Sequence, residues 1–178
     1  MNELSFVMST IALILYSLSY FFNNKRSFLM LQLSGNVFLS VSYLIIGSYF
    51  TMISVLIGIA RGLLCYLYEK RDKRVPIFVV LGLCSATVVS FIVVNYVILS
   101  QSSPWDVLYL VASCMYSITF AMRNIRLMRY VTIVPHSLAV GYNLLIEAPF
   151  TSAVSYAIEL IVTVAAIIRF DLIKRRGK

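Results

Sequence analysis

Apolar residues fill this chain in seven runs, 3–22, 28–47, 50–69, 75–99, 105–122, 129–147 and 150–169, separated by short polar breaks. Each run is close to the roughly 20 residues that an α-helix needs to cross a hydrocarbon core. Inside the runs the sparse polar residues do not alternate as they would in a half-buried strand; they recur at helical spacing. In the second run Gln32, Asn36, Ser40 and Tyr43 form one stripe of a helix. The sixth run carries His136, Tyr142 and Asn143. The pattern predicts an all-α, polytopic membrane protein with seven transmembrane helices.

The order of elements repeats. Gln32 to Arg74 and Thr132 to Lys178 each contain an apolar helix, a tight polar break and a second apolar helix that ends in cations. The breaks are Gly47-Ser48-Tyr49-Phe50-Thr51 and Glu147-Ala148-Pro149-Phe150-Thr151. Matching one unit to the other sets Asn36 against His136, and Tyr43 against Asn143 or Tyr142. An odd number of spans lets both units point the same way, so the expected plan is 3+1+3: a triple-helix unit at 1–74, a linker helix at 75–99 and a second triple-helix unit at 100–178. Parallel repeats of this kind place a binding site near the bilayer midplane, where the units face each other.

Composition removes the soluble alternatives. The chain is 61% hydrophobic and 12% charged, with a mean hydropathy of +0.91, whereas soluble domains are about a quarter charged. The 15 Lys and Arg exceed the 7 Asp and Glu, but all except Arg61 fall where topology asks for them. Lys25 and Arg26 follow the first run, Lys70, Arg71, Lys73 and Arg74 the third, Arg123, Arg126 and Arg129 the fifth, and Arg169, Lys174, Arg175, Arg176 and Lys178 the seventh. The positive-inside rule then puts the N-terminus outside and the C-terminus in the cytoplasm. A nucleic-acid role is not needed to explain the charge. The first run lacks a basic leader and a small-residue cleavage site, so it is expected to be retained.

No cofactor or metal is expected. Cys65, Cys84 and Cys114 lie in apolar runs without Cys-x-x-Cys spacing, and the single histidine cannot build a two-His zinc site. No nucleophile, base and orienting group stand in a recognisable pattern, so the chain is not expected to be an enzyme. The last span has no lysine for a retinal-type Schiff base.

Arg61 and Glu159 are the charged residues in mid-span, where an Arg costs about 2.5–3.5 kcal/mol on insertion scales. Their depths match to within about 3 Å at 1.5 Å per residue. Two readings stand. They form a fixed salt bridge pinning the two units together, or they line a central pathway where Arg61 binds a carboxylate or phosphate and Glu159 balances it or takes a proton. A proton relay between His136 and Glu159 belongs to the second. Gln32, Asn36, Tyr43, His136, Tyr142, Asn143 and Thr163 complete the expected lining, against the alternative that they only hydrogen-bond between helices. Ser54 and Gly58 share the Arg61 face and are expected to serve packing. Tyr20, Phe21, Phe22, Tyr49, Phe50, Trp105, Tyr130 and Phe170 read as interfacial belts.

The segments Phe21-Phe22-Asn23, Gln32-Leu33-Ser34, Leu44-Ile45-Ile46-Gly47-Ser48-Tyr49 and Ile59-Ala60-Arg61 resemble the YgjV family of small bacterial inner-membrane proteins. Phe120-Ala121-Met122-Arg123, Arg126-Leu127-Met128-Arg129 and Ile167-Ile168-Arg169-Phe170 extend the resemblance over nearly the whole chain. That family is similar to the PQ-loop group of SWEET sugar facilitators and PnuC-type vitamin transporters, which implies the 3+1+3 plan and a pathway lined by helices 2, 3, 6 and 7. The chain departs from that group in having no Pro-Gln pair in its first or fifth run. The resulting expectation is a small-solute transporter or facilitator of the bacterial inner membrane, with lipid and a small-molecule solute as partners and room for a homo-oligomer. The alternative is a non-transporting structural or regulatory membrane protein.

Overall fold

The computed structural model describes residues 3–46, 49–93, 104–145 and 150–173. Gly47 and Ser48, Glu147 to Pro149, the end of the fourth run and the cations from Lys174 onward lie outside these residues. Among those described the chain is all helical, with no strand. Seven α-helices follow one another as α1 (Glu3–Ser19), α2 (Lys25–Ile46), α3 (Tyr49–Lys70), α4 (Ile77–Ile92), α5 (Asp106–Ala121), α6 (Ile125–Leu145) and α7 (Phe150–Ile167), and a π-helical turn, Ile168–Ile173, continues α7.

Helix ends follow local chemistry. Asn24 and Asn124 precede α2 and α6, and each accepts, through Oδ1, a hydrogen bond from a first-turn backbone N–H, at Arg26 and Arg126, both 3.0 Å. An Asn there satisfies a donor that the helix itself leaves over. Past α3, Asp72 takes a left-handed conformation at φ 53°, and the Lys73 N–H returns to the Tyr68 carbonyl at 2.9 Å, a αL-type stop that Asp tolerates better than most residues. Pro76 leads into α4 with extended backbone.

The helices pack mainly on their neighbours in sequence. α2 lies between α1 and α3, α6 lies between α5 and α7, and α4 lies against α3 and α5. Two further contacts, α1 with α7 and α3 with α5, join the first three helices to the last three. The buried core, Tyr20, Phe28, Leu29, Cys65, Phe120, Met128 and Ala166, draws on five helices and the turn after α1, and sits where these groups meet. Outward faces are apolar: Ile77, Phe78, Leu81 and Val89 on α4, Leu144 on α6 and Ile161 on α7 are all more than half exposed. Water would penalise that surface and lipid would not. By length and composition alone Lys25–Ile45 is long and apolar enough to span a bilayer, whereas Glu3–Ser19, Ile77–Ile92 and Asp106–Ala121 are apolar but shorter.

The first apolar run is shortened for a visible reason. α1 stops at Ser19, and the Phe21 and Phe22 N–H groups turn back to Leu18 and Ser19 carbonyls. Tyr20 is therefore not part of an interfacial belt, as its place near the end of the run suggests; it is 1% exposed and packs edge-on against Phe28. Phe22, Trp105 and Tyr130 are exposed, as belt residues are.

One close approach needs glycine. A Cβ at Gly35 would lie 2.6 Å from a Tyr16 ring carbon, so α1 and α2 touch through this position. Gly35→Ala is expected to destabilise the chain by about 1–3 kcal/mol, the usual cost of overpacking. Combination with Tyr16→Ala, which removes the ring, should recover part of that loss. Unfolding midpoints in detergent for the single and double variants measure both.

Candidate functional site

Polar side chains collect at the level where the first and last three helices meet. From α1 and α2 come Tyr16, Ser19, Gln32 and Asn36. Ser19 donates to the Tyr16 carbonyl at 2.6 Å, Gln32 Nε2 donates to Ser19 Oγ at 2.9 Å, and Asn36 Nδ2 donates to the Gln32 carbonyl at 2.9 Å. Tyr16 closes the chain by donating to Asn36 Oδ1 at 3.0 Å. The helix-2 stripe is thus spent largely on α1, the interhelical use of amides in membranes. Ser40 departs from it and bonds its own backbone at Val37.

Arg61 extends from α3 across to α5. Its Nη1 donates to the Ser113 carbonyl at 3.1 Å and to Ser117 Oγ at 3.4 Å, and its guanidinium carbon sits 5.6 Å from the Tyr116 ring centre and 5.2 Å from that of Phe120. Aromatic faces stabilise a guanidinium that has left water. On the α2 side, a Cβ at Gly58 would meet Asn36 Oδ1 at 3.1 Å and Arg61 Nη2 at 3.7 Å. Gly58 is therefore the gap through which Arg61 and Asn36 come close. Arg61 Nε and the Tyr116 hydroxyl are buried with no hydrogen-bond partner among the described residues.

His136 and Glu159 meet on the other side of Tyr116. His136 Nε2 lies 2.9 Å from Glu159 Oε2, and Nδ1 lies 2.7 Å from the Thr132 carbonyl. Pro135 sits inside α6 next to this histidine. A helix-interior proline removes an N–H and clashes with the carbonyl four residues earlier, here Val131, so α6 is irregular in the turn that carries the Thr132 carbonyl. The Tyr20 hydroxyl reaches Nε2 from the turn after α1 at 3.3 Å, and Tyr116 stands edge-on to the ring at 5.4 Å between centres. Thr163 is fully buried one turn beyond Glu159 and donates to its backbone carbonyl at 2.8 Å.

A fixed Arg61–Glu159 salt bridge, one of the two expectations, is not formed. Glu159 is held by His136, and Arg61 turns the other way, over Tyr116 toward Ser113. Equal depth in the membrane did not make them neighbours, because α5 and α6 stand between α3 and α7 in the packing. The remaining expected residues lie toward the other end of the bundle. Tyr142 donates to Asp106 Oδ1 at 3.1 Å and leans on Tyr109, and Asn143 is buried and donates to its own helix at Ala139. Tyr43 is half-buried near Tyr109. The side chain of Ser54 lies outside the described ones.

Three participants escaped the sequence. Tyr20 and Tyr116 were hidden among many aromatics. Arg129, counted above as a surface cation, is 1% exposed. Its Nη2 donates to the Phe22 carbonyl at 2.8 Å and to Asn23 Oδ1 at 2.9 Å, and its guanidinium lies over the Phe170 ring. Lys25 is likewise buried, 3.2 Å from Glu69.

An all-α bundle that is apolar outside and keeps its charged and amide groups turned inward belongs to the class of helical membrane proteins. Over residues 3–174 the chain matches the Imp-YgjV family, described as bacterial inner membrane protein. It belongs to that family and to the bacterial inner membrane. No curated protein and no solved structure matches it.

Proposed function

We propose that this chain is a small-solute transporter or facilitator whose binding site is the polar level around Arg61, Tyr116, His136 and Glu159. The observation that carries the proposal is the buried Nε of Arg61, which has no hydrogen-bond partner among the described residues; nor has the hydroxyl of Tyr116, whose ring the guanidinium faces. A permanent structural arginine would be expected to spend its donors, because each unsatisfied buried group costs about 1–3 kcal/mol. A carboxylate or phosphate oxygen arriving between the two halves would take them. The ligand class is therefore a small anionic or zwitterionic metabolite, with vitamins and sugars as the alternatives that the amides and hydroxyls would suit.

Seven spans in a 3+1+3 arrangement fit this reading. The contacts of α1 with α7 and of α3 with α5 correspond if α1 matches α5 and α3 matches α7, and α4 then stands outside the ring as a linker. Such a plan resembles that of the SWEET facilitators, and it lets the two units rock about the central level. The N-terminus would face the periplasm and the C-terminus the cytoplasm. Lipid and the solute are the partners, a homo-oligomer is compatible with it, and no enzymatic step is assigned.

The topology is tested by single cysteines placed in a chain from which Cys65, Cys84 and Cys114 have been removed. Lys73→Cys is expected to react with a membrane-impermeant maleimide from the cytoplasmic side, and Pro104→Cys from the periplasmic side. The opposite pattern overturns the orientation. The function is tested by reconstitution into liposomes with a panel of labelled carboxylates, phosphate esters, vitamins and sugars. Uptake of none of them by folded protein would favour the alternative, a non-transporting structural or regulatory membrane protein.

A further inference from the structure

His136 uses both ring nitrogens, and the two contacts together count protons. Nδ1 lies 2.7 Å from the Thr132 carbonyl oxygen; a carbonyl oxygen accepts only, so Nδ1 carries a proton. Nε2 lies 2.9 Å from Glu159 Oε2. Two bare acceptors do not approach to a hydrogen-bond distance, so a second proton sits in that contact, on the imidazole or on the carboxyl. The pair as built therefore holds one proton more than a neutral imidazole beside a carboxylate. The imidazole is fully buried and the carboxylate side chain is 12% exposed.

We propose that the His136–Glu159 contact is the binding site of a coupling proton, so that the solute crosses with H⁺ and not by passive facilitation. The proposal rests on the transporter reading. When the proton leaves to water on the side the site faces, a lone pair and a carboxylate confront each other and the contact opens. The donor at hand is the Tyr20 hydroxyl, which already lies 3.3 Å from Nε2. Tyr20 belongs to the turn that follows α1, His136 to α6 and Glu159 to α7, so proton loss loosens α6 from α7 and ties α6 to that turn. That exchange moves a contact from within the last three helices to the boundary between them and the first three. A change of this kind at the boundary is what alternating access requires.

The groups facing the pair are limited. Among the described residues α1 presents Tyr16, the turn after it Tyr20, α5 Tyr116 and α7 Tyr156, and Arg61 of α3 lies beyond the Tyr116 ring. α6 itself carries Arg129 two turns away at its inner end. Gln32 and Asn36 of α2 are neutral. No second carboxylate competes for the proton among these neighbours.

Because the chain has 1 histidine, the ¹⁵N spectrum of histidine-labelled full-length protein in nanodiscs reports on this site alone. As pH is raised, Nδ1 is expected to stay protonated while the Nε2 signal moves from that of a nitrogen sharing a proton with Glu159 to that of one accepting from Tyr20. In Glu159→Gln the carboxamide donates to Nε2 and has no proton to release, so the Nε2 signal should be independent of pH and remain unprotonated. In Tyr20→Phe the high-pH Nε2 signal should lose its hydrogen-bond shift and move to that of a free ring nitrogen. An Nε2 signal in the wild type that does not change between acid and alkaline pH short of denaturation overturns the proton site. Should Tyr20→Phe not fold, the wild-type and Glu159→Gln titrations still decide.

Flux separates the coupling role from the reading beneath it. In proteoliposomes given the labelled panel above, an inward gradient of one pH unit should drive about tenfold accumulation of a transported solute, since one unit is worth about 1.4 kcal/mol. Equal uptake with and without the gradient overturns coupling while leaving transport in place. Uptake of no solute removes the transporter reading and the coupling role with it, and the nitrogen titration then reports whether the proton site exists by itself.

Discussion

Arg61→Gln is expected to weaken binding of an anionic solute strongly while leaving the bundle assembled. A charge-assisted hydrogen bond is worth about 1.5–3 kcal/mol, so loss of the guanidinium should weaken such a solute by about tenfold to more than a hundredfold. Gln is two bonds too short to keep the donor that Arg61 sends to the Ser113 carbonyl at 3.1 Å, but it relieves the burial of a charge. Stability should therefore change little, or rise. Solute titrations in detergent and uptake in liposomes measure the first part, and the unfolding midpoint measures the second. The reciprocal exchange, Arg61→Glu with Glu159→Arg, distinguishes this account from a structural pair. It should not rescue the single variants, because it would set an arginine against His136 and a carboxylate against the Ser113 carbonyl. Recovery of full uptake by the double exchange would show that the two charges act on each other after all.

Much of this arrangement was legible because a lipid environment makes polarity expensive. An Arg at position 61 and a Glu at position 159 stand out in apolar runs, and their cost alone marks them for a purpose. Helical class follows from the spacing of apolar and polar residues, and the Asn24 and Asn124 caps start α2 and α6 where the polar breaks lie. Partners were harder to read, because depth along a helix says nothing of the direction a side chain takes around it. Arg61 and Glu159 share a depth, yet they turn toward different helices. The same limit hid Arg129. Its position at the end of an apolar run is where a surface cation belongs, and its burial arises only when the corner between α1 and α2 folds over it. Tyr20 is buried by that same corner.

Arg129→Leu is expected to produce the largest loss of stability of any single change discussed, about 3 kcal/mol or more. Two acceptors, the Phe22 carbonyl at 2.8 Å and Asn23 Oδ1 at 2.9 Å, depend on its Nη2, and each hydrogen bond to a charged group contributes about 1.5–3 kcal/mol. Water at the inner end of the bundle would replace part of this, whereas the stacking on Phe170 at 5.1 Å would be lost. Arg129→Lys should recover less than half, since an ammonium has neither the planar fork nor the flat face that the present contacts use. The position of the contact sharpens the test. Arg129 belongs to α6 and its acceptors to the turn between α1 and α2, so it ties the last three helices to the first three at the end where the cations cluster. If the two groups rock against each other, opening at that end must break this contact. Weakening it with Asn23→Ala, which removes one acceptor and leaves the arginine in place, should then favour the form open to the cytoplasm. Accessibility of a cysteine at Ser117 to an impermeant maleimide, in a chain lacking the native cysteines, should rise from the cytoplasmic side in Asn23→Ala. No change in labelling, with the unfolding midpoint lowered, would make Arg129 a strut and not a gate.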